Sequence, residues 1–233
     1  MQKEHEIVVL LPMKANSVRV SGKNFRNFCG KPLFRWILDT ILSIDEISKV
    51  VINTDARDIL SANGLIESDR IIIRDRKLEL CGDNVSMNLV LADDLEHVSS
   101  SLYIMTHTTN PLLSANTIRE AISKFKEAKI KGLADSLFTV DKVQTRFYRA
   151  DATPVNHDPN NLVPTQDLEP WFEENSNLYI FTSESFLKTE ARIGALPTMY
   201  ENSRFESIDI DTPDDWDFAV AVAKFMQEKF QRG

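Results

Sequence analysis

Ile7-Val8-Val9-Leu10-Leu11-Pro12-Met13-Lys14-Ala15-Asn16-Ser17-Val18-Arg19-Val20-Ser21-Gly22-Lys23-Asn24, with its continuation to Leu38, is the stretch whose reading decides the fold. Its apolar opening reads as a strand buried on both faces, and Pro12 ends it. The loop after Pro12 carries Lys14, Arg19 and Lys23, and Arg26, Lys31 and Arg35 come soon after, while no Asp or Glu occurs anywhere from Ile7 to Leu38. In a chain of formal net charge -8, that segregation points to a local anion site. A turn after a buried strand offers backbone N–H groups, and the small residues Ala15, Ser17, Ser21 and Gly22 let phosphate oxygens approach them. The competing reading is a solvated basic face.

Working outward, apolar β-rich runs recur at Val50–Asn53, Ile71–Arg74, Ser101–His107 and Asp135–Val140. Helical spacing fills the gaps at Pro32–Ser43, Asn84–Val98 and Ser114–Lys129. This alternation predicts an α/β fold, a parallel sheet covered on both faces, with ligands bound beyond the carboxyl ends of the strands. The rhythm changes over residues 141–172, which are polar and contain Pro154, Pro159, Pro164 and Pro170, with Thr145–Arg149 as a possible short strand. A last strand at Asn177–Phe181 and a helix from Pro213 to Phe230 return to the main body.

The 233 residues suffice for one such domain, spanning 1–233 with an inserted appendage at 141–175. An acidic chain is a poor non-specific ligand for nucleic acid, so no nucleic-acid partner is expected. The longest apolar runs are far short of a membrane span, and the acids near Met1 do not suit a secretory leader, which predicts a cytoplasmic protein with no membrane association. Cys29 and Cys81 have no metal-ligand spacing and read as reduced thiols.

Further candidate sites lie at strand ends. In Ser207-Ile208-Asp209-Ile210-Asp211-Thr212, strand alternation would put both carboxylates on one face about 7 Å apart. That pair suits Mg²⁺, which takes one or two carboxylates together with phosphates and water. Thr212-Pro213-Asp214-Asp215 reads separately, as a helix start with its cap and acidic first turn. Asn53-Thr54-Asp55 follows the second strand and suits either a base or ribose contact or a helix cap. His107-Thr108-Thr109-Asn110-Pro111 ends the fourth strand, and His107 has no partner at metal or triad spacing. Walker, zinc-hydrolase, nucleophile-triad and Gly-rich dinucleotide patterns are absent.

Together these residues resemble the acylneuraminate cytidylyltransferase (CMP-sialic acid synthetase) family of sugar nucleotidyltransferases. The motifs are Lys14-x-x-Ser17-x-Arg19-Val20-x-x-Lys23-Asn24 with Gly30-Lys31-Pro32-Leu33, then Asn53-Thr54-Asp55, Arg76 with Leu80 and Asp83, Thr109-Asn110-Pro111-Leu112, and Ile208-Asp209-Ile210-Asp211. The resemblance implies a Rossmann-like nucleotidyltransferase three-layer sandwich with a mostly parallel mixed sheet, CTP and Mg²⁺ as requirements, and a homodimer built largely by the appendage. It implies transfer of CMP to the anomeric hydroxyl of a nonulosonic-type 2-keto sugar acid, with release of pyrophosphate. Lys14, Arg19 and Lys23 would hold the triphosphate, Asp209 and Asp211 the metal, and Asp211 would join the three cations as a catalytic residue. Ser17, Asn24, Asn53, Asp55, Arg76 and Asp83 would complete the nucleotide pocket. His107, Gln166 and Asn175 are the candidates for sugar contacts.

The sequence departs from that pattern in two places. Lys14 stands where the family usually has arginine, and Ser17-Val18-Arg19 is closer to the Ser-x-Arg of the related Kdo cytidylyltransferases. On the sugar side, the family's Arg-Gln-x-Leu-Pro appears as Thr165-Gln166-Asp167-Leu168-Glu169, and its Pro-Asn-Gly-Ala as Glu174-Asn175-Ser176-Asn177. Other classes compatible with the residues are a nucleotide-sugar glycosyltransferase and a non-catalytic nucleotide-binding homologue.

Overall fold

The computed structural model describes residues 7–15, 17, 19–82 and 84–232. Its first strand, β1 (Ile7–Leu10), is wholly buried, and its alternating side chains feed two separate cores. Ile7, Val9 and Leu11 point to one face and Val8 and Leu10 to the other. A strand with apolar side chains on both faces can only be central, and β1 lies between two parallel neighbours.

The loop after β1 ends in a single 3₁₀ turn at Lys23–Phe25. A two-residue hairpin comes next, β2 (Asn27–Phe28) and β3 (Lys31–Pro32), and then α1 (Leu33–Leu42). The chain continues through β4 (Ile47–Thr54), α2 (Arg57–Ala62), β5 (Ile71–Asp75), α3 (Met87–His97), β6 (Leu102–Thr106) and α4 (Ala115–Ile130). After these come β7 (Ser136–Val143), β8 (Trp171–Phe181), α5 (Ser183–Thr189), β9 (Pro197–Glu201) and α6 (Pro213–Arg232). The seven-stranded sheet runs β5-β4-β1-β6-β8-β7-β9. β8 is antiparallel to both of its neighbours, while β7 and β9 are mutually parallel.

One face of the sheet is covered by α1 and α4, through Phe34, Ile37, Ile41, Ile118, Ile122 and Phe125. The other is covered by α3 and α5, through Leu91 and Phe186 against Tyr103, Met105, Tyr179 and Phe181. The resulting three-layer α/β arrangement is the one expected from the alternating pattern. A third cluster packs α6, through Trp216, Ala219 and Val222, against Phe28, Leu33, Ile208 and Ile210. The rings of Phe28 and Trp216 meet edge-on at 5.5 Å. This cluster brings the segment before α6 back to the loop after β1.

Several elements differ from the sequence reading. Ser207–Thr212 forms no strand; one backbone bond, from the Ile210 N–H to the Thr109 carbonyl at 2.9 Å, pins it to the loop after β6. The expected alternation survives, because Ile208 and Ile210 are buried beneath it. Thr145–Arg149 is not a regular strand: Phe147 stacks on Trp171 at 5.0 Å, and its N–H is taken by the Asn156 side chain. β8 begins six residues before the predicted Asn177, because its first half pairs with the end of β7 rather than with the core. α2, α5, β9 and the hairpin are short elements whose apolar positions are too few to give a period.

Candidate active site

The segments beyond the carboxyl ends of β1, β5 and β6 line one cavity of about 340 Å³. Its lining includes Lys14, Ser17, Arg19, Lys23, Asn24, Arg76, His107 and Asp211, together with Pro12, Met87, Thr108 and Thr109. Eight of the residues singled out from the sequence therefore come together from segments up to 197 positions apart (211 − 14).

Gly22, at φ 61°, supplies the left-handed residue that turns the loop into the 3₁₀ turn. That turn presents Lys23, whose side chain is only 9% exposed. Its ammonium donates to the Ile210 carbonyl at 2.5 Å and to Asp211 Oδ1 at 3.2 Å. Arg19 donates to the other oxygen, Asp211 Oδ2, at 2.8 Å. Lys14 Nζ donates to the Gly82 carbonyl at 2.6 Å, bridging the loop after β1 to the segment after β5. Asn24 is a buried strut: its amide donates to the Lys14 carbonyl at 2.8 Å, and its oxygen accepts from the Thr108 hydroxyl at 2.6 Å.

The other half of the basic stretch has a structural role. Arg26 lies over the Trp216 ring at 4.5 Å, Lys31 pairs with Asp39 at 2.5 Å, and Arg35 donates to the Gly64 carbonyl at 2.8 Å. The basic stretch thus divides: Lys14, Arg19 and Lys23 line the cavity, whereas Arg26, Lys31 and Arg35 are engaged elsewhere.

Asn53 and Asp55, expected in the nucleotide pocket, flank the cavity without lining it. Asn53 is fully buried; its oxygen accepts from Arg76 Nε at 2.9 Å, and its amide donates to Asp94 Oδ1 at 2.8 Å. Its backbone carbonyl takes a second bond from Arg76 at 2.8 Å. Arg76 is thus aimed into the cavity by two acceptors beneath it, and burial lowers its pKa against the opposing pull of Asp55 and Asp94. Asp94 is also tied to Arg74. Asp55 accepts from the Ala15 N–H at 2.6 Å, fastening the loop after β1 to the end of β4. Asp83 lies outside the described residues.

His107 lines the cavity, where burial, together with the charges of Arg192 and Lys23, pushes its pKa down to about 3. It is a neutral imidazole at ordinary pH. Gln166 and Asn175 stand away from the cavity lining. The Gln166 carbonyl accepts from Gln144 at 2.9 Å. The Asn175 side chain accepts from Thr139 at 2.8 Å and donates to Asn202 at 2.7 Å, holding the irregularity where β7 and β8 change register.

Asp209 and Asp211 are the residues that could hold a metal. Burial, reinforced by the charge of Asp211, pushes the Asp209 carboxyl up, while Thr109 and Lys23 oppose the shift. Its Oδ1 is buried with no hydrogen-bond partner among the described residues. An orphaned carboxylate oxygen costs free energy that a hard cation would recover, so the donor set fits Mg²⁺. Asp215 holds the adjoining turn as expected, accepting from the N–H groups of Asp211 at 3.1 Å and Thr212 at 2.7 Å.

Thr108 belongs to the strand-end stretch noted in the sequence, whereas Met87 and Arg192 lie at the cavities without having been singled out by sequence reasoning. Thr108 carries the signal of any residue just past a strand's carboxyl end. Met87 opens a helix, and Arg192 sits in the loop after α5; neither position has a pattern that sequence reasoning can use.

The α/β sheet thus carries a cluster of cations at its carboxyl edge, where ligands of open α/β sheets bind. The sequence matches the cytidylyltransferase family over residues 8–230, and the chain belongs to that family, making it a nucleotidyltransferase enzyme. It is 24% identical to a pseudaminic acid cytidylyltransferase of Campylobacter jejuni over 94% of this chain and 97% of that protein. It is 25% identical to a CMP-N,N'-diacetyllegionaminic acid synthase of Legionella pneumophila over 95% and 98%. Among solved structures, CMP:2-keto-3-deoxy-manno-octonic acid synthetase complexed with CTP superposes with a TM-score of 0.66 at 13% identity, covering 95% of this chain and 99% of that one. A 4-diphosphocytidyl-2C-methyl-D-erythritol synthase from Anaerococcus prevotii gives a TM-score of 0.64 at 15% identity over 95% of this chain and 97% of that one. Among the described residues, no helix is long and apolar enough to cross a membrane.

Proposed function

We propose that the protein transfers CMP from CTP to the anomeric hydroxyl of a nonulosonic-type 2-keto sugar acid and releases pyrophosphate. The observation that carries this reading is the convergence of Lys14, Arg19 and Lys23 with Asp211 around one cavity at the carboxyl edge of the sheet. It is supported by full-length relatives whose names specify sugar acids of that type.

The acceptor hydroxyl oxygen forms a bond to the α-phosphorus, the bond from that phosphorus to the bridging oxygen of the β-phosphate breaks, and the hydroxyl proton passes to solvent. The protein's task in such a displacement is to position the reactants and stabilise charge. Lys14, Arg19 and Lys23 hold the triphosphate and take up the charge that develops on the leaving pyrophosphate. Asn24 fixes the shape of their loop. Arg76, aimed by Asn53, lines the nucleotide end, with Ser17 beside the phosphates. Neutral His107 accepts a hydrogen bond from the acceptor sugar. Asp209 and Asp211 would hold Mg²⁺, which would supply positive charge to the phosphates and favour ionisation of an attacking hydroxyl. Arg19 and Lys23 each engage one Asp211 oxygen, tying the two cations to this carboxylate.

Self-association through residues 141–175 belongs to the same proposal. Tyr148, Leu162 and Phe172 are exposed there, and the arm extends beyond the edge of the main sheet. A Kdo-type acceptor is the second reading, favoured by Ser17-Val18-Arg19. A glycosyltransferase would release no pyrophosphate, and a non-catalytic homologue would release none while still binding nucleotide.

The test is pyrophosphate release from CTP and Mg²⁺ with neuraminic, legionaminic, pseudaminic, Kdn and Kdo acids, using UTP and ATP as controls. Release with CTP and one acid is expected. Asp211→Ala should lower it by at least about 100-fold with the circular dichroism spectrum retained; full activity in that variant would sink the metal assignment.

A further inference from the structure

A second cavity of about 280 Å³ adjoins the first, and Met87 lines both. Its lining is Ser86, Met87, Asn88, Glu174, Ala191, Arg192 and Ile193. Hydroxyl, amide, carboxylate and guanidinium groups around a space of that size suit a polyhydroxylated ligand. If the first cavity takes the triphosphate, the second is where a molecule attacking the α-phosphorus from the far side of Met87 would extend.

Arg192 is the cation in that lining, and it is held in place. Its guanidinium lies 3.9 Å from the centre of the Tyr179 ring and donates to the Tyr179 hydroxyl at 3.0 Å. Its backbone N–H reaches Asn88 Oδ1 at 3.4 Å, joining the loop after α5 to the start of α3. The side chain is 20% exposed. Among the described residues its hydrogen-bonding capacity is incompletely used: Nη1 meets the Met105 thioether at 4.0 Å, a weak acceptor, and Nη2 forms an ion pair with Glu174 at 3.7 Å that is too long for a hydrogen bond. A planar guanidinium stacked on an aromatic ring and lining a cavity, with donor capacity to spare, suits an oxyanion. The charge also reaches the first cavity, where it contributes to keeping His107 neutral.

We propose that Arg192 recognises the carboxylate of the acceptor sugar acid and so sets the acceptor's orientation from this second cavity. The proposal rests on the CMP-transfer reading for the identity of its ligand. Glu174 tempers it: as the anion nearest the guanidinium, it competes with the incoming carboxylate and favours hydroxyl or amino groups on the same substrate. Recognition therefore comes from a residue after β8, in a chain that has Thr165 where the family pattern has its sugar-side arginine.

The test measures binding by calorimetry to the intact protein with CTP and Ca²⁺. The probes are N-acetylneuraminic, N,N'-diacetyllegionaminic, pseudaminic and Kdo acids, together with the C1 carboxamide of whichever acid binds best. In the native protein the acid should bind more tightly than its amide. Arg192→Met, which keeps the bulk beside Tyr179, should weaken the acid by about 10- to 100-fold and leave the amide nearly unchanged, so that discrimination collapses. Arg192→Lys should fall between the two, and Glu174→Gln should tighten the acid. Because the last variant retains Arg192, it keeps the test informative if Arg192→Met does not fold.

Undiminished discrimination in Arg192→Met overturns the proposal, as does weakening of CTP alone, or failure of every acid to bind the native protein. Pyrophosphate release measured on the same samples with Mg²⁺ separates the two ideas. Release that persists with unchanged acid preference in Arg192→Met removes Arg192 from recognition and leaves CMP transfer standing; no release from any acid removes the transfer reading itself.

Discussion

The two halves of the sheet's carboxyl edge are built differently. In the half made of β5, β4, β1 and β6, all strands run parallel; the segments after β1, β5 and β6 line the first cavity, and the end of β4 supports them through Asn53 and Asp55. In the other half, β8 runs backwards. Because Thr106 pairs with Leu178, the residues just before Leu178, including Glu174, are the ones that reach the active edge. There β7 and β8 continue past the sheet as a two-stranded arm, after an irregularity held by Thr139 and Asn175. Parallel strands fix which residues meet the ligand by topology alone, whereas in the mixed half the outcome depends on register. A triphosphate site can thus stay constant while the neighbouring subsite is re-specified by small changes in one arm and one loop.

The largest effect expected in the parallel half tests whether Asn53 acts through Arg76. Asn53→Ala and Arg76→Ala should each raise the KM for CTP by about 10-fold, with kcat within about twofold. The double variant should be little worse than Arg76→Ala, because both changes remove the same contact. Additive effects in that cycle would mean that Asn53 meets the nucleotide independently. Asn53→Ala should also lower stability by about 1–3 kcal/mol, measured by urea unfolding, since Arg76 Nε and Asp94 lose buried partners.

The same contrast explains what is legible in the sequence. The strand–helix alternation, the loop from Lys14 to Asn24 and the Asp209–Asp211 pair can be read because a buried parallel strand, a charge-segregated loop and an i, i+2 pair are local signals. Asn53 and Asp55 can be placed at a strand end, but nothing local says that one supports Arg76 and the other fastens a loop. Gln166 and Asn175 come from an expected pattern on the arm, where register decides position; Asn175 holds the β7–β8 irregularity instead. Arg192 and Met87 become neighbours of the cavity only through long-range packing of α3 against the loop after α5, which no periodicity encodes.

A smaller effect is expected where the halves meet, at His107. Its folded pKa of about 3 lies below the usual 6.5, so the folded protein excludes a proton that the unfolded chain accepts. The stability from this source is complete above pH 6.5 and is lost as pH falls toward 3. Between pH 7 and pH 5 the loss should be about 1–2 kcal/mol, the lower figure applying if cavity water screens the ring. His107→Gln should unfold in urea with a pH dependence shallower by that amount over the same interval. An identical slope would place the charge sensitivity elsewhere.

The smallest effect separates the two parts of the basic stretch. Lys31 is half-exposed, pairs with Asp39, and lies 5.1 Å from the Trp36 ring centre, so its charge is already engaged at the surface of α1. Exposed pairs of this kind contribute about 0–1 kcal/mol. Lys31→Ala should therefore change stability by no more than that and leave the KM for CTP within about twofold of its original value, whereas Lys14→Ala, removing a cavity-lining cation, should raise that KM by about 10-fold. Equal effects on KM would mean that the stretch from Lys14 to Arg35 acts on the nucleotide as one electrostatic surface. Unequal effects would locate recognition in the loop, where contact rather than net charge decides which lysine matters.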